Sequence, residues 1–170
     1  EYFPFGERPA KDIRDITLSA IKKLSADCSI VVIACNTASV NDLDYYREQV
    51  STPLVGVVPV VKTAAALTKN GQIALLATTI TTKADYTDKL IATYAGDKTV
   101  AKIACPGLAS AIEHHTLTTE ALAGYLKPIG AADIVVLGCT HYTLIKGQIQ
   151  RVVGPDVKVI DSNEAVARQT

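Results

Sequence analysis

The sequence predicts an α/β protein of two pseudo-symmetric lobes, each built on a parallel sheet, with the active site in the cleft between them. Short apolar runs alternate with amphipathic stretches along all 170 residues, as strands and helices do in α/β layers. Several of these runs are continuous and rich in β-branched residues, which is typical of strands buried on both faces. One such run, together with the turn that follows it, recurs later in the chain.

The elements follow one another with short connections. Residues 10–25 carry apolar positions at close to helical spacing and are predicted to form the first helix, and residues 29–34 (SIVVIA) the first buried strand. We expect further strands at residues 54–58, 72–77, 100–104, 133–137 and 157–160. We expect further helices at residues 38–49, 60–68 and 83–94, with one or two more over 108–128. Right-handed crossovers join such strands into parallel sheets.

Two points on the chain mark the predicted passage between lobes. The chain is expected to enter the second lobe near Val58-Pro59 and to return to the first near Asp161. The first lobe then holds residues 1–58 and 161–170, and the second holds residues 59–160.

Composition and charge exclude several classes of partner. Lys plus Arg and Asp plus Glu number 17 each, so a net charge of zero gives no bulk attraction to nucleic acid or anionic membrane. No apolar run approaches the roughly 20 residues that a membrane helix needs. We therefore expect no nucleic-acid partner and no membrane partner.

The four cysteines, Cys28, Cys35, Cys105 and Cys139, show no metal-binding spacing. A chain of this size and apolar content needs no disulfides to be stable. We expect free thiols in a reducing compartment, the cytoplasm. Cys28 and Cys105 stand in no recurring context, and we interpret both as structural.

The recurring segment contains the other two cysteines. Residues 30–37 (IVVIACNT) align with residues 134–141 (IVVLGCTH), each an apolar run followed by a small residue, a cysteine and polar residues. Each lobe therefore places a cysteine at the same structural position. A lone cysteine after a strand is most often a small buried residue, but the matched pair favours a chemical role for Cys35 and Cys139.

That position suits proton transfer. Ligands of open α/β sheets bind outside the carboxyl ends of the strands, where the next helix presents unpaired N–H groups and a partial positive charge. We expect this setting to lower the pKa of each thiol. One thiolate would remove a proton from a carbon and the opposed thiol would protonate its other face, which inverts a stereocentre. This geometry requires no metal and no cofactor.

Polar residues near the predicted cleft leave alternatives open. The threonines Thr78, Thr79, Thr81 and Thr82 follow a strand, and they either cap the next helix or line the cleft. His114 and His115 are interpreted as solvated helix residues.

Two motifs identify a resemblance. Residues 34–39 (ACNTAS) and 137–142 (LGCTHY) resemble the paired cysteine motifs of bacterial glutamate racemases, of the aspartate/glutamate racemase superfamily. Residues 4–8 (PFGER), 106–113 and 160–167 resemble further segments of that family, in the same order over essentially the whole chain. Ser39 favours glutamate, because aspartate racemases have a histidine there.

The resemblance implies a cofactor-independent interconversion of L- and D-glutamate that supplies D-glutamate for peptidoglycan. It implies that Cys35 handles the proton of D-glutamate and Cys139 that of L-glutamate, while His141 and Glu113 assist Cys139. It also implies substrate contacts at Pro4, Phe5, Gly6, Asn36, Thr37 and Thr140. A homodimer is among the assemblies that the sequence leaves open.

Departures from the family pattern keep other hypotheses open. The family begins with a strand ending in Asp-Ser-Gly, so we expect this chain to be truncated at both ends and to lack that strand. Phe5 replaces a tyrosine, and Thr143 stands where the family usually has proline. The alternatives are an aspartate racemase, an inactive glutamate-binding fragment, and a metal or redox module that uses Cys35, Cys139 and His141.

Overall fold

The computed structural model describes residues 3–170 as six strands and ten α-helices. The strands are β1 (Val31–Ile33), β2 (Leu54–Gly56), β3 (Gln72–Ala77), β4 (Thr99–Ala104), β5 (Ile134–Gly138) and β6 (Lys158–Ile160). The helices are α1 (Ala10–Ser25), α2 (Asn36–Gln49), α3 (Val61–Leu67), α4 (Thr79–Lys83), α5 (Asp85–Ala95), α6 (Leu108–Glu113), α7 (Thr119–Leu126), α8 (Thr140–Leu144), α9 (Lys146–Val153) and α10 (Asn163–Ala167).

The strands form two separate parallel sheets. β1 pairs with β2, and the second sheet has the order β4-β3-β5-β6. This confirms the predicted fold class of α/β layers with parallel strands in two units. The boundaries of the lobes at residues 58–59 and 160–161 stay a prediction.

The second sheet is covered on both faces, which explains its continuous apolar runs. In β3, Ala74 and Leu76 pack into one core, and Ile73 and Leu75 pack into another on the opposite face. Strand β5 alternates in the same way. Because side chains of a strand point to opposite faces in turn, a strand buried on both faces is apolar at every position.

The first sheet packs against α1 and α2. Ile13 and Ile21 of α1 join Tyr46 of α2 and Ile33 of β1 in one buried cluster. These helical positions recur on one face of α1, as the predicted helix over residues 10–25 requires.

The structure changes the bounds of one predicted helix and confirms the prediction of one or two helices over residues 108–128. The helix predicted over residues 83–94 begins at Asp85, and a separate short helix, α4, precedes it. Thr78 caps α4 by accepting a hydrogen bond from the backbone N–H of Thr81, which is one of the two roles expected for the run of threonines. Residues 108–128 form two helices, with a break at the left-handed residue His115 (φ 55°).

No helix within residues 3–170 is both long and apolar enough to cross a membrane.

Candidate active site

The carboxyl ends of strands from both sheets open onto one cavity of about 320 Å³. The segment Phe3–Glu7, here called the strap, forms part of its wall. Of the residues predicted to act in the site, the following line the cavity: Pro4, Phe5, Gly6, Cys35, Thr37, Cys139, Thr140 and His141. Small-molecule sites have volumes from this size upward, so the cavity fits a small ligand.

The two cysteines occupy matching positions. Cys35 immediately precedes α2 and Cys139 immediately precedes α8, each at the cap position of its helix. Their backbones are nearly identical, with φ −145° and ψ 118° at Cys35 and φ −146° and ψ 134° at Cys139. The repeat in the sequence thus corresponds to a repeat in local structure, and both residues line the one cavity.

The expected lowering of the thiol pKa values is wrong. Burial raises the pKa of Cys35 above its ordinary value, and the N–H groups of Ala38 and Thr37 offset this only in part. Burial raises the pKa of Cys139 to about 11, against the opposing N–H groups of His141 and Tyr142. The cost of removing a thiolate from water therefore raises the pKa by more than the N–H groups at the helix start lower it.

The two thiols also influence each other. A charge on Cys35 raises the pKa of Cys139, because two thiolates facing one cavity repel each other. The state with one thiolate and one thiol is therefore favoured over the doubly ionised state. Interacting groups of this kind lose their protons as a pair.

A third thiol, Cys105, faces the same cavity. It is buried after β4, and its Sγ donates to the carbonyl oxygen of Ile103 at 3.6 Å. The sequence indicates only a structural role for Cys105, because its segment has no counterpart in the repeat. The sequence did not predict its position in the cavity. Cys105 lies there because β4 and β5 both flank β3 and end at the same edge of the sheet.

Burial of Cys105 predicts a loss of stability at alkaline pH. Burial raises its pKa from 9.0 to about 12, so between these values the unfolded chain releases this proton more readily than the folded one. The stabilisation is complete below pH 9 and is lost as the pH rises towards 12, by at most about 1.4 kcal/mol per pH unit. Urea unfolding from pH 8 to 10.5 should show a shallower decline for Cys105→Ala than for the parent. Parallel declines would contradict this assignment.

The side chains of His141 and Glu113 lie close together beside the cavity. Glu113, the last residue of α6, places Oε2 3.3 Å from Nε2 of His141 in α8. The imidazole lines the cavity, whereas Glu113 lies behind it and is half exposed. The structure therefore places in contact the two residues that, by the resemblance, assist Cys139. His114 and His115 lie exposed just beyond α6 rather than within it.

Of the four threonines, Thr78 combines both predicted placements. Thr78 caps α4 and also lines the cavity together with Thr79. Its hydroxyl lies 2.9 Å from that of Thr37 and 3.0 Å from that of Thr81. This buried cluster links the start of α2 to the end of β3, and so connects the two sheets across the cavity.

Asn36 is the one predicted substrate contact that does not line the cavity. It is buried, and within residues 3–170 neither its amide nitrogen nor its amide oxygen has a hydrogen-bond partner. Buried amides are normally paired, so Asn36 is a polar group that this part of the chain leaves unsatisfied.

Gly6 allows the strap to approach the cluster of threonines. A Cβ atom at Gly6 would lie 2.6 Å from Cγ2 of Thr78, closer than any real contact. The glycine of the Pro-Tyr-Gly-Glu-Arg segment, which Gly6 matches, is therefore required here because a side chain would not fit.

Known proteins resemble this chain over nearly its whole length. Residues 4–170 match the family described as Asp/Glu/Hydantoin racemase. The chain belongs to this family. No group of three or more His, Cys, Asp or Glu side chains suited to a metal ion occurs within the described part of this racemase-family chain.

Its relatives are glutamate racemases. The protein is 41% identical to the glutamate racemase of Herpetosiphon aurantiacus over 98% of this chain and 68% of that protein. It is 43% identical to that of Shewanella baltica strain OS185, over 98% of this chain and 64% of that protein. The chain thus spans about two thirds of the length of the relatives it matches.

A solved structure agrees with these sequences. Escherichia coli glutamate racemase, in complex with L-glutamate and the activator UDP-MurNAc-ala, superposes with a TM-score of 0.89 at 34% identity. The match covers 98% of this chain and 66% of the other.

Proposed function

We propose that this chain interconverts L- and D-glutamate without a cofactor, with Cys35 and Cys139 as opposed acid and base. One observation carries the proposal: two thiols, each following a strand of a different sheet, face one cavity of small-molecule size. Near-symmetric placement suits a reaction whose substrate and product are mirror images.

The proposed chemistry is a transfer of two protons. With L-glutamate bound, the Cys139 thiolate takes the proton from Cα, and the Cys35 thiol gives its own proton to the opposite face. The C–H bond broken on one face is replaced by a C–H bond on the other, and D-glutamate leaves. Cys139 ends as the thiol and Cys35 as the thiolate, so the reverse reaction starts from Cys35. Each thiol must lie within direct reach of Cα for this transfer.

The remaining polar groups would bind and orient the substrate. Among the described residues, no lysine or arginine lines the cavity. The two carboxylates would therefore be bound by hydroxyl and backbone N–H donors, with Thr37, Thr78 and Thr140 supplying the hydroxyls. His141, held by Glu113, would assist Cys139.

Glutamate is the substrate that the relatives favour. The two sequence relatives described above are named glutamate racemases, and the Escherichia coli structure contains L-glutamate. In this proposal, the product D-glutamate supplies peptidoglycan synthesis in the cytoplasm.

Residues 1–58 and 161–170 belong to one lobe and residues 59–160 to the other. Sedimentation velocity would determine whether two copies associate as a homodimer.

A stereochemical assay tests the proposal. We expect the purified protein, incubated with L-glutamate, to form D-glutamate until both enantiomers are equal, as chiral chromatography would measure. A chelator should leave the rate unchanged, and L-aspartate should react far more slowly. A protein that binds glutamate but forms no D-glutamate would contradict the proposal, as would activity abolished by the chelator.

A further inference from the structure

The strap connects the first sheet's core to the histidines of the second. Phe5 packs against the cluster of buried side chains around β1, α1 and α2. Two residues earlier, Phe3 lines the cavity and contacts side chains that follow β4 and β5. The strap therefore touches both halves of the site.

Phe3 packs against two imidazoles. Its ring centroid lies 5.0 Å from that of His141, with 38° between the ring planes. The ring of His114 lies 6.3 Å away at 51°. Both separations fall within the range of favourable aromatic contacts, which is about 4.5–7 Å. The shorter contact is with His141, the histidine that lines the cavity.

The His141 ring is thus held by two groups from different parts of the chain. Glu113 approaches its Nε2 at 3.3 Å, and the Phe3 ring packs against it. Glu113 is half exposed, and contact with an exposed carboxylate restrains a side chain weakly. The Phe3 ring adds a packing contact that limits rotation of the imidazole.

Other charged or titratable groups near His141 do not duplicate this contact. Cys139 lies two residues before it in the chain, and Glu7 of the strap is exposed at the cavity wall. On the neighbouring helix α9, Lys146 pairs with Asp161 at 2.7 Å instead.

We propose that Phe3 is a positioning residue that holds the His141 imidazole in place at the cavity. This inference rests on the proposed function, in which His141 assists Cys139. A group that assists proton transfer must keep its orientation, so release of the ring should lower kcat more than it changes KM.

Three substitutions of Phe3 separate the effect of its aromatic ring from the effect of its side-chain volume. Phe3→Tyr keeps the ring, Phe3→Leu keeps most of the volume without a ring, and Phe3→Ala removes both. Kinetics in both directions should be combined with NMR of the His141 imidazole C–H resonances, assigned by their loss in His141→Gln. The resonances report the nearby ring whether or not the protein is active.

We expect Phe3→Tyr to retain kcat and the His141 resonance positions. Phe3→Leu and Phe3→Ala should each lower kcat by about tenfold with KM little changed, and should shift the His141 resonances in the same direction. Retention of kcat in Phe3→Leu would overturn the inference, because side-chain volume alone would then suffice. If the parent protein fails to racemise glutamate, the proposed function fails, and the resonances still decide whether Phe3 holds His141.

Discussion

Cys35→Ala and Cys139→Ala should each lower racemisation of glutamate by about a thousandfold or more in both directions. Each direction needs one thiolate to remove the proton and one thiol to return it, so neither residue is dispensable. A single acid or base group contributes about 10²–10⁴-fold to a rate, and groups acting as a unit lose most of it together. Initial rates by chiral chromatography should show the loss in kcat rather than KM.

The fourth cysteine offers a matched control. Cys28 is exposed beyond the end of α1 and does not line the cavity. Cys28→Ala should retain the parent rate, which would show that loss of a thiol elsewhere is harmless. Near-normal turnover in Cys35→Ala or in Cys139→Ala would end the two-base mechanism.

Gly138→Ala should destabilise the protein by about 1–3 kcal/mol, as insertion of a methyl group into a packed core does. Gly138 ends β5 directly before Cys139, and an added Cβ would lie 2.9 Å from Cδ1 of Leu75 and 3.1 Å from the carbonyl oxygen of Leu76. The backbone oxygen belongs to the adjacent strand β3 and cannot move without disturbing the sheet. Urea unfolding at neutral pH would measure the loss.

A second glycine should respond in the opposite direction. Gly124 lies in α7, and nothing would lie within 4 Å of an added Cβ. Gly124→Ala should stabilise the protein by about 0.5–1 kcal/mol, because alanine restricts the unfolded chain and favours a helix. Equal effects of the two substitutions would contradict the packing described around Gly138.

The sequence predicted those features that depend on local pattern. Continuous apolar runs located the strands buried on both faces, such as β3 and β5, because such burial leaves no polar position. The repeat located Cys35 and Cys139, because each follows the carboxyl end of a strand in its own parallel sheet, where ligands of open α/β sheets bind.

The sequence did not predict features that depend on residues far apart in the chain. The expectation of lowered thiol pKa values considered only the adjacent helix start, whereas burial by the whole cavity wall raises them. Cys105 enters the site through the order of strands, and Phe3 meets His141 only because the strap crosses the cavity. Neither the place of Cys105 in the cavity nor the contact of Phe3 with His141 produces a repeating pattern in the sequence.

Racemisation in D₂O tests the central claim most directly. If Cys35 and Cys139 act as opposed acid and base, the thiol that protonates the far face carries solvent hydrogen, not the hydrogen just removed. Starting from pure L-glutamate, D-glutamate should therefore contain deuterium at Cα from the first turnover, while recovered L-glutamate gains it more slowly. Mass spectrometry of the separated enantiomers at low conversion would measure both. Early D-glutamate that retains its original hydrogen would contradict the account, because one base would then have carried the same proton across.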